Sequence, residues 1–296
     1  MQQPAAKTIN LLVALICLLW GSTWFFISVG IKDLPPFTSS GIRFAIAGVL
    51  MAVVAMTLGR RESGDSPRTS LWIQVGVLNF AVSYGIVYCV EIVLPSGLVA
   101  VLWGVFPMMM AGMAHRFLPG EQLRGVQWLG FAVGLAGIVF LFLTDLGKFG
   151  VEALPAAGIL LLSPLACAIS TTFIKKHGAT TNSTLLNRNG MLLGGALLLL
   201  LAVATEQDAK FDWTPPAIFS IIYLAVFGTV VTFGIYFWLL RYADANRLAL
   251  VAYVTPVIAL IIGWMFGEAV TWNTVLGSAL IIGGVVAVMR GKRKQT

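Results

Sequence analysis

The sequence predicts an all-α integral membrane protein, with ten transmembrane helices arranged as two five-helix repeats of inverted topology. Three observations carry this expectation. The 296 residues are 58% hydrophobic and only 10% charged, with a mean hydropathy of +0.91, whereas a soluble domain carries about 25% charged residues. The apolar residues fall in long runs separated by short polar breaks, and lysine and arginine collect in every second break. The chain also aligns on itself when shifted by roughly half its length.

Runs of the length that crosses a bilayer core, about 20 residues, lie at 11–30, 37–58, 71–90, 95–114, 126–143, 154–174, 185–204, 217–240, 248–266 and 274–289. The first follows only Lys7, exceeds the apolar core of a signal peptide and lacks a small-residue cleavage site, so it reads as a permanent span. The second opens after the break Lys32-Asp33-Leu34-Pro35-Pro36 and closes at the polar stretch 60–67, before the third. The fourth is centred on Pro107 and runs toward Gly120-Glu121, ahead of the fifth. Lys175-Lys176-His177-Gly178 ends the sixth, and Asn187, Arg188 and Asn189 make the start of the seventh unusually polar. The stretch 206–216 separates the seventh from the eighth; the ninth is centred on Pro256, and the tenth ends in a basic tail. Ten such spans use about 200 residues, which leaves no room for a folded soluble domain.

With the N-terminus placed in the cytoplasm and the spans alternating, 15 of the 19 lysines and arginines fall on the cytoplasmic side. Three, Lys32, Lys148 and Lys210, fall outside, and Arg43 lies within a span. Such a bias predicts a multi-pass membrane protein with both termini cytoplasmic. It also accounts for the net charge of +7 without a nucleic-acid partner. The tail residues Arg290, Lys292, Arg293 and Lys294 read as a topology anchor beside membrane lipids.

At an offset of 149, Gly85 aligns with Gly234, Ile86 with Ile235, Ala100 with Ala249 and Pro107 with Pro256. At 147, Gly120-Glu121 aligns with Gly267-Glu268, Gly130 with Gly277 and Gly137 with Gly284. The expected units are therefore 1–147 and 148–296, each a five-helix repeat. Five is odd, so the second must sit inverted relative to the first, an architecture used by secondary transporters.

Trp20-Gly21-Ser22-Thr23-Trp24, Arg43-Phe44, and the proline-centred fourth span running to Gly120-Glu121, Gly130 and Gly137 resemble the EamA-type branch of the drug/metabolite transporter superfamily. The pattern recurs around Pro256, Gly267-Glu268, Gly277 and Gly284. The resemblance covers essentially the whole chain. It implies a ten-span permease of the cytoplasmic (inner) membrane, usually exporting amino acids, other metabolites or toxic compounds, with a central cavity lined mainly by the first, third, fourth, sixth, eighth and ninth spans. Glu91 and Ala168, the latter in place of the first span's tryptophan, depart from the family pattern.

Polar and aromatic residues within aliphatic spans are the candidates for contact with a small-molecule substrate: Trp20, Ser22 and Thr23; Asn79 and Tyr84; Trp103; Thr232 and Tyr236; Tyr253 and Thr255. Such a cavity suits a neutral, zwitterionic or amphipathic molecule. Pro107 and Pro256, at corresponding positions, are expected as hinges because an internal proline removes a helical hydrogen bond. Arg43 inside its span must snorkel or pair, and Glu91 is its expected partner, either as a structural ion pair or as a proton-coupling site. Glu121 and Glu268, each just before a helix, read as caps or gate anchors. The glycine pairs Gly130 and Gly134, Gly190 and Gly194, and Gly263 and Gly267 read as helix-packing sites.

No catalytic residue, metal or cofactor is expected. Cys17, Cys89 and Cys167 lie singly in apolar runs, and no His-Glu-x-x-His, Gly-x-Ser-x-Gly or phosphate-binding loop is present. A lipid flippase or a non-transporting membrane receptor is the alternative to a permease.

Overall fold

The computed structural model describes residues 5–57, 62, 64–118, 125–144, 152–178, 180–239, 248 and 250–290, with the backbone alone at 6, 142–144, 250, 252–253 and 288–290. Helix dominates, and the only β-type pairing among the described residues is one isolated bridge, between Asp65 and Thr181. The helical segments are α1 (Ala6–Gly30), α2 (Pro36–Thr57), α3 (Thr69–Val90), α4 (Ser96–Phe117), α5 (Gly125–Thr144), α6 (Ala153–His177), α7 (Ser183–Thr205), α8 (Pro215–Leu239), α9 (Leu250–Met265) and α10 (Trp272–Arg290). Seven, α1 to α4 and α6 to α8, are long and apolar enough to cross a membrane; α5, α9 and α10 are apolar but shorter.

Helix starts follow local chemistry where a cap is at hand. Asn182 accepts a hydrogen bond from the Leu185 amide at the start of α7, and Thr214 accepts one from Ala217 ahead of Pro215 and Pro216 in α8. Three helices are capped from afar. Glu62 accepts from the Ser183 and Thr184 amides of α7 at 2.9 and 3.1 Å. Glu206 accepts from Phe37 and Thr38 of α2 at 2.6 and 2.8 Å. Glu268 accepts from Ser96 and Gly97 of α4 at 3.1 and 2.9 Å. A carboxylate at a helix N-terminus satisfies amides that have no partner within the helix and opposes the positive end of its dipole. Glu268 thus caps a helix distant in sequence rather than the one that follows it. Glu121 lies outside the described residues.

These caps sort the connections into two ends of the bundle. The turn after α1 bonds to the α7–α8 connection, through the Asp212 amide to the Asp33 carbonyl at 3.0 Å and through Thr214 to the Asp33 carboxylate. The α3–α4 turn lies at this same end, held by Glu268. At the opposite end the α2–α3 connection meets the α6–α7 connection, with Thr180 donating to Asp65 at 2.7 Å.

Several helix pairs pack through glycine, and between α2 and α7 and between α5 and α10 it brings the backbones together at both ends of the contact. In α2 and α7, a Cβ on Gly195 would lie 2.8 Å from the Ala45 amide and one on Gly48 would lie 2.6 Å from the Leu192 side chain. In α5 and α10, a Cβ on Gly284 would lie 2.5 Å from the Gly134 amide, and one on Gly137 would lie 2.9 Å from the Ile281 amide. Gly190 and Gly194 likewise meet Val75 and Phe80 of α3. Gly263 and Gly267 behave otherwise: Gly263 faces the Glu268 carboxyl, and Gly267, at φ +91°, makes the left-handed turn that folds Glu268 back. They form a turn rather than a helix-packing pair.

Candidate functional site

The remaining helices, α1, α3, α4, α6, α8 and α9, surround a cavity with about 1330 Å³ of atom-free space including its open part. Each contributes a stripe at helical spacing: Trp20, Thr23, Trp24 and Ile27 from α1; Asn79, Ser83, Tyr84 and Val87 from α3; Cys167, Thr171 and Lys175 from α6. On α4 the wall runs from Trp103 through Pro107 to Ala114; on α8 it is Phe233, Tyr236 and Phe237, and on α9 Val251 and Thr255, beside Leu248. Lys175 and Ala114 lie in the last turn of their helices, so the cavity extends toward the bundle end that carries the α2–α3 and α6–α7 connections.

Eight of the 23 described lining residues are aromatic. Trp20 packs against Phe233 and Tyr236 at centroid distances of 5.2 and 5.1 Å, Trp24 lies 6.0 Å from Trp103, and Trp103 stacks on Phe106 at 5.1 Å. The polar groups of the wall fall into two sets. One is satisfied: Trp103 Nε1 donates to Ser163 Oγ at 3.0 Å, Ser163 and Ser83 hydroxyls lie 2.8 Å apart, and Cys167 Sγ donates to Ser83 at 3.2 Å. This network ties α3, α4 and α6 together. The other is not: Trp20 Nε1 and Asn79 Nδ2 are buried and have no protein partner. Two unspent donors on an aromatic wall are matched by a ligand that brings acceptors. None of the described lining residues is acidic, and Lys175 is the one lysine or arginine among them.

Toward the opposite end, contacts latch the helices together. Ser22 and Tyr223 hydroxyls lie 2.7 Å apart, Phe25 stacks on Phe266 at 4.2 Å, and Glu268 holds α4. Between this end and the cavity lies Arg43, wholly buried. It donates to Thr229 Oγ1 at 2.9 Å, to the Tyr88 hydroxyl at 3.2 Å and to the Gly228 carbonyl at 3.3 Å, with its guanidinium carbon 4.7 Å from the Tyr84 ring centroid. Gly228 and Thr229 belong to a π-helical stretch, Val226–Val231, and α3 contains a second, Val75–Val82. A π-turn displaces backbone groups from the regular ladder, and here Arg43 and the Thr229 hydroxyl, which donates to the Leu224 carbonyl at 2.7 Å, engage them.

The residues singled out by the sequence fall in different places. Trp20, Thr23, Asn79, Tyr84, Trp103, Tyr236 and Thr255 lie on the cavity wall together with Pro107. Ser22 and Thr232 do not: Ser22 bonds to Tyr223 of α8, and Thr232 is fully buried off the wall. The side chain of Tyr253 lies outside the described residues. The hinge prolines differ, since α4 breaks at Gly104 with Pro107 in the first turn of its second part, whereas Pro256 is inside α9. The ion pair between Arg43 and Glu91 is not formed: the Arg43 nitrogens bond to Thr229, Tyr88 and Gly228, and neither Glu91 oxygen accepts a hydrogen bond. Nor does Arg43 snorkel; its aromatic and hydroxyl surroundings serve the guanidinium within the bundle. Lys175 and Cys167 went unread as wall residues, although both share the i, i+4, i+8 stripe of Thr171.

Comparison with known proteins places this geometry. The model of the EamA-like transporter family matches residues 7–143 and again 154–290. The uncharacterized transporter YoaV of Bacillus subtilis (strain 168) is 27% identical over 91% of this chain and 92% of its own length. The uncharacterized inner membrane transporter YedA of Escherichia coli (strain K12) is 29% identical over 93% of this chain and 88% of its own. One solved crystal structure superposes with a TM-score of 0.69 at 20% identity, covering 96% of both chains, a likeness of fold.

Proposed function

Because the chain belongs to the EamA-like transporter family, we propose that it is a secondary transporter of the cytoplasmic membrane that exports small metabolites, such as amino acids or amphipathic toxic compounds, by alternating access. The observation that carries the reading is the aromatic-bearing cavity that extends toward one end of the bundle, with contacts latching the helices together toward the other. An alternating-access site must be reachable from one side only in each of its shapes.

In this reading all ten segments cross the membrane, as repeats 1–147 and 148–296 of opposite orientation. Reciprocal contacts support it. Glu62 of the first half caps α7 of the second, and Glu206 of the second caps α2 of the first. Gly284 faces the Gly130 carbonyl while Gly137 faces the Gly277 carbonyl. The two π-helical stretches fall in the third helix of each half. A pseudo-two-fold axis in the membrane plane relates each of these contacts to its counterpart. The lysine and arginine bias orients both termini to the cytoplasm, so the cavity faces inward and the latched end faces out. The name of the relative YedA, an inner membrane transporter, fits that placement.

The test is counterflow into proteoliposomes holding the purified chain, screened with labelled amino acids and tetraphenylphosphonium. Saturable counterflow that Asn79→Leu weakens supports the reading. A folded protein that moves none of them, and that scrambles labelled phospholipid instead, replaces it with a flippase. A folded protein that does neither leaves a membrane receptor.

A further inference from the structure

Glu91 closes α3 at the latched end and is 6% exposed, among Val87, Val90 and Leu94, which are 2%, 4% and 2% exposed. It is the one acid among the described residues whose two carboxyl oxygens are both buried without a hydrogen-bond donor. Three charged or titratable groups act on it: Tyr88 one turn back on its own helix, Arg43 from α2, and Glu268 from the α9–α10 turn. Arg43 is committed to Thr229, Tyr88 and Gly228, and Glu268 is committed to Ser96 and Gly97. Glu268 also carries a like charge. An ionised carboxylate with neither a donor nor a counter-ion in contact is far costlier to bury than the neutral acid.

The geometry points to Glu91 as the binding site of a coupling proton, held as the neutral acid while the outer end is latched and released as the protein changes shape. The assignment rests on the transporter reading. Glu268 holds the N-terminus of α4, which begins directly after the turn that starts at Glu91. When this latch opens the turn is uncovered, water reaches the carboxyl, and its proton exchanges with the outer side. Toward the cavity, Glu91 is followed by Tyr88, then Arg43, then Tyr84 on the wall. A substrate pressing on Tyr84 bears on Arg43, and an Arg43 moved against Glu91 favours the carboxylate. The proton then passes from the Glu91 oxygen to water in the cavity. The ion pair suggested by the sequence belongs to that second state, with the acid neutral in the first.

Wild type and Glu91→Gln, reconstituted as the full chain, separate the possibilities by two readouts. The first needs no substrate: the infrared C=O band of a protonated carboxyl at about pH 7, where an exposed glutamate is ionised. It is expected in the wild type and absent from Glu91→Gln; its absence from the wild type overturns the proposal. The second uses whichever labelled amino acid or tetraphenylphosphonium gives wild-type counterflow. A gradient of about one pH unit, at one proton per substrate, sustains up to about tenfold accumulation. That accumulation is expected in the wild type and lost in Glu91→Gln, while counterflow at equal pH persists. Undiminished gradient-driven accumulation in Glu91→Gln overturns the coupling role. Absence of wild-type counterflow for every probe overturns the transporter reading and the coupling role with it, while the infrared band still reports whether Glu91 is neutral, so the two failures are distinguishable.

Discussion

The α2–α7 and α5–α10 pairs and the six helices around the cavity are built from the same apolar alphabet by opposite rules. The pairs bring backbones together through glycine, with no room for a Cβ at Gly195 or Gly284. The cavity helices meet one another through side chains, as where Gly21 faces Ile258 and Gly228 faces Thr23, turn aromatic rings to the cavity, carry π-helical stretches in α3 and α8 and a break in α4, and leave donors unspent at Trp20 and Asn79. Close packing and regular ladders make the pairs a rigid frame. Irregular backbone and unsatisfied polar groups are costly and persist where a ligand or a motion uses them.

The sharpest way to break this contrast is to thicken a glycine contact in the frame. Leucine at position 284 would drive its Cβ into the Gly134 amide and the Gly130 carbonyl, backbone atoms that cannot rotate away. Gly284→Leu is expected to cost more than about 3 kcal/mol, enough to abolish a monodisperse protein. The neighbouring Gly283→Leu, with nothing within 4 Å of its Cβ, should stay within about 0.5 kcal/mol of the wild type. Equal yields and unfolding temperatures for the two would refute the frame.

Arg43 stands where frame meets cavity, reaching from α2 to α8 and α3. Arg43→Met removes the donor to Thr229, Tyr88 and Gly228 at once, an expected loss of about 3 kcal/mol in a tryptophan-monitored unfolding curve. A loss below about 1 kcal/mol would mean that its role lies in transport alone.

In the cavity the sign reverses. Asn79→Leu removes a buried amide whose Nδ2 has no partner, so thermal stability is expected to hold or rise, while counterflow falls about tenfold, the cost of about one hydrogen bond to a bound acceptor. A destabilised variant with normal counterflow would assign Asn79 to the frame.

The helices were legible because a bilayer core demands long apolar runs, and the turns because proline, glycine and charge interrupt them. The cavity was half legible. Trp20, Asn79 and Trp103 stand out as polar or aromatic residues in mid-helix, and helical spacing separates Ser22 from the stripe of Trp20, Thr23, Trp24 and Ile27. The same spacing puts Cys167, Thr171 and Lys175 on one stripe of α6. Composition did not locate the partners of Arg43, 45 to 186 residues away along the chain, or the targets of Glu62, Glu206 and Glu268, 121 or more residues away. The π-helical stretches carry no residue signature, since packing against neighbouring helices decides where a ladder slips.

The smallest expected effect sits at the edge of the frame, at the end opposite the latch. Burial raises the pKa of the Glu62 carboxyl, but hydrogen bonds from the Thr184 and Ser183 hydroxyls, both at 2.7 Å, and from their amides outweigh it and hold the group below the usual carboxylate range. A depressed folded pKa lends stability above the unfolded value, about 4.3, and that stability is lost as pH falls through the folded value. Glu62 is half-buried, so screening reduces the effect, and Glu62→Gln should cost about 1 kcal/mol at neutral pH. The unfolding difference between variant and wild type should then shrink as the pH drops below about 4, because a protonated Glu62 bonds no better than glutamine. A difference that stays constant through that range would mean that shape rather than charge holds α7, and that the cap at this end of the frame is a steric fit.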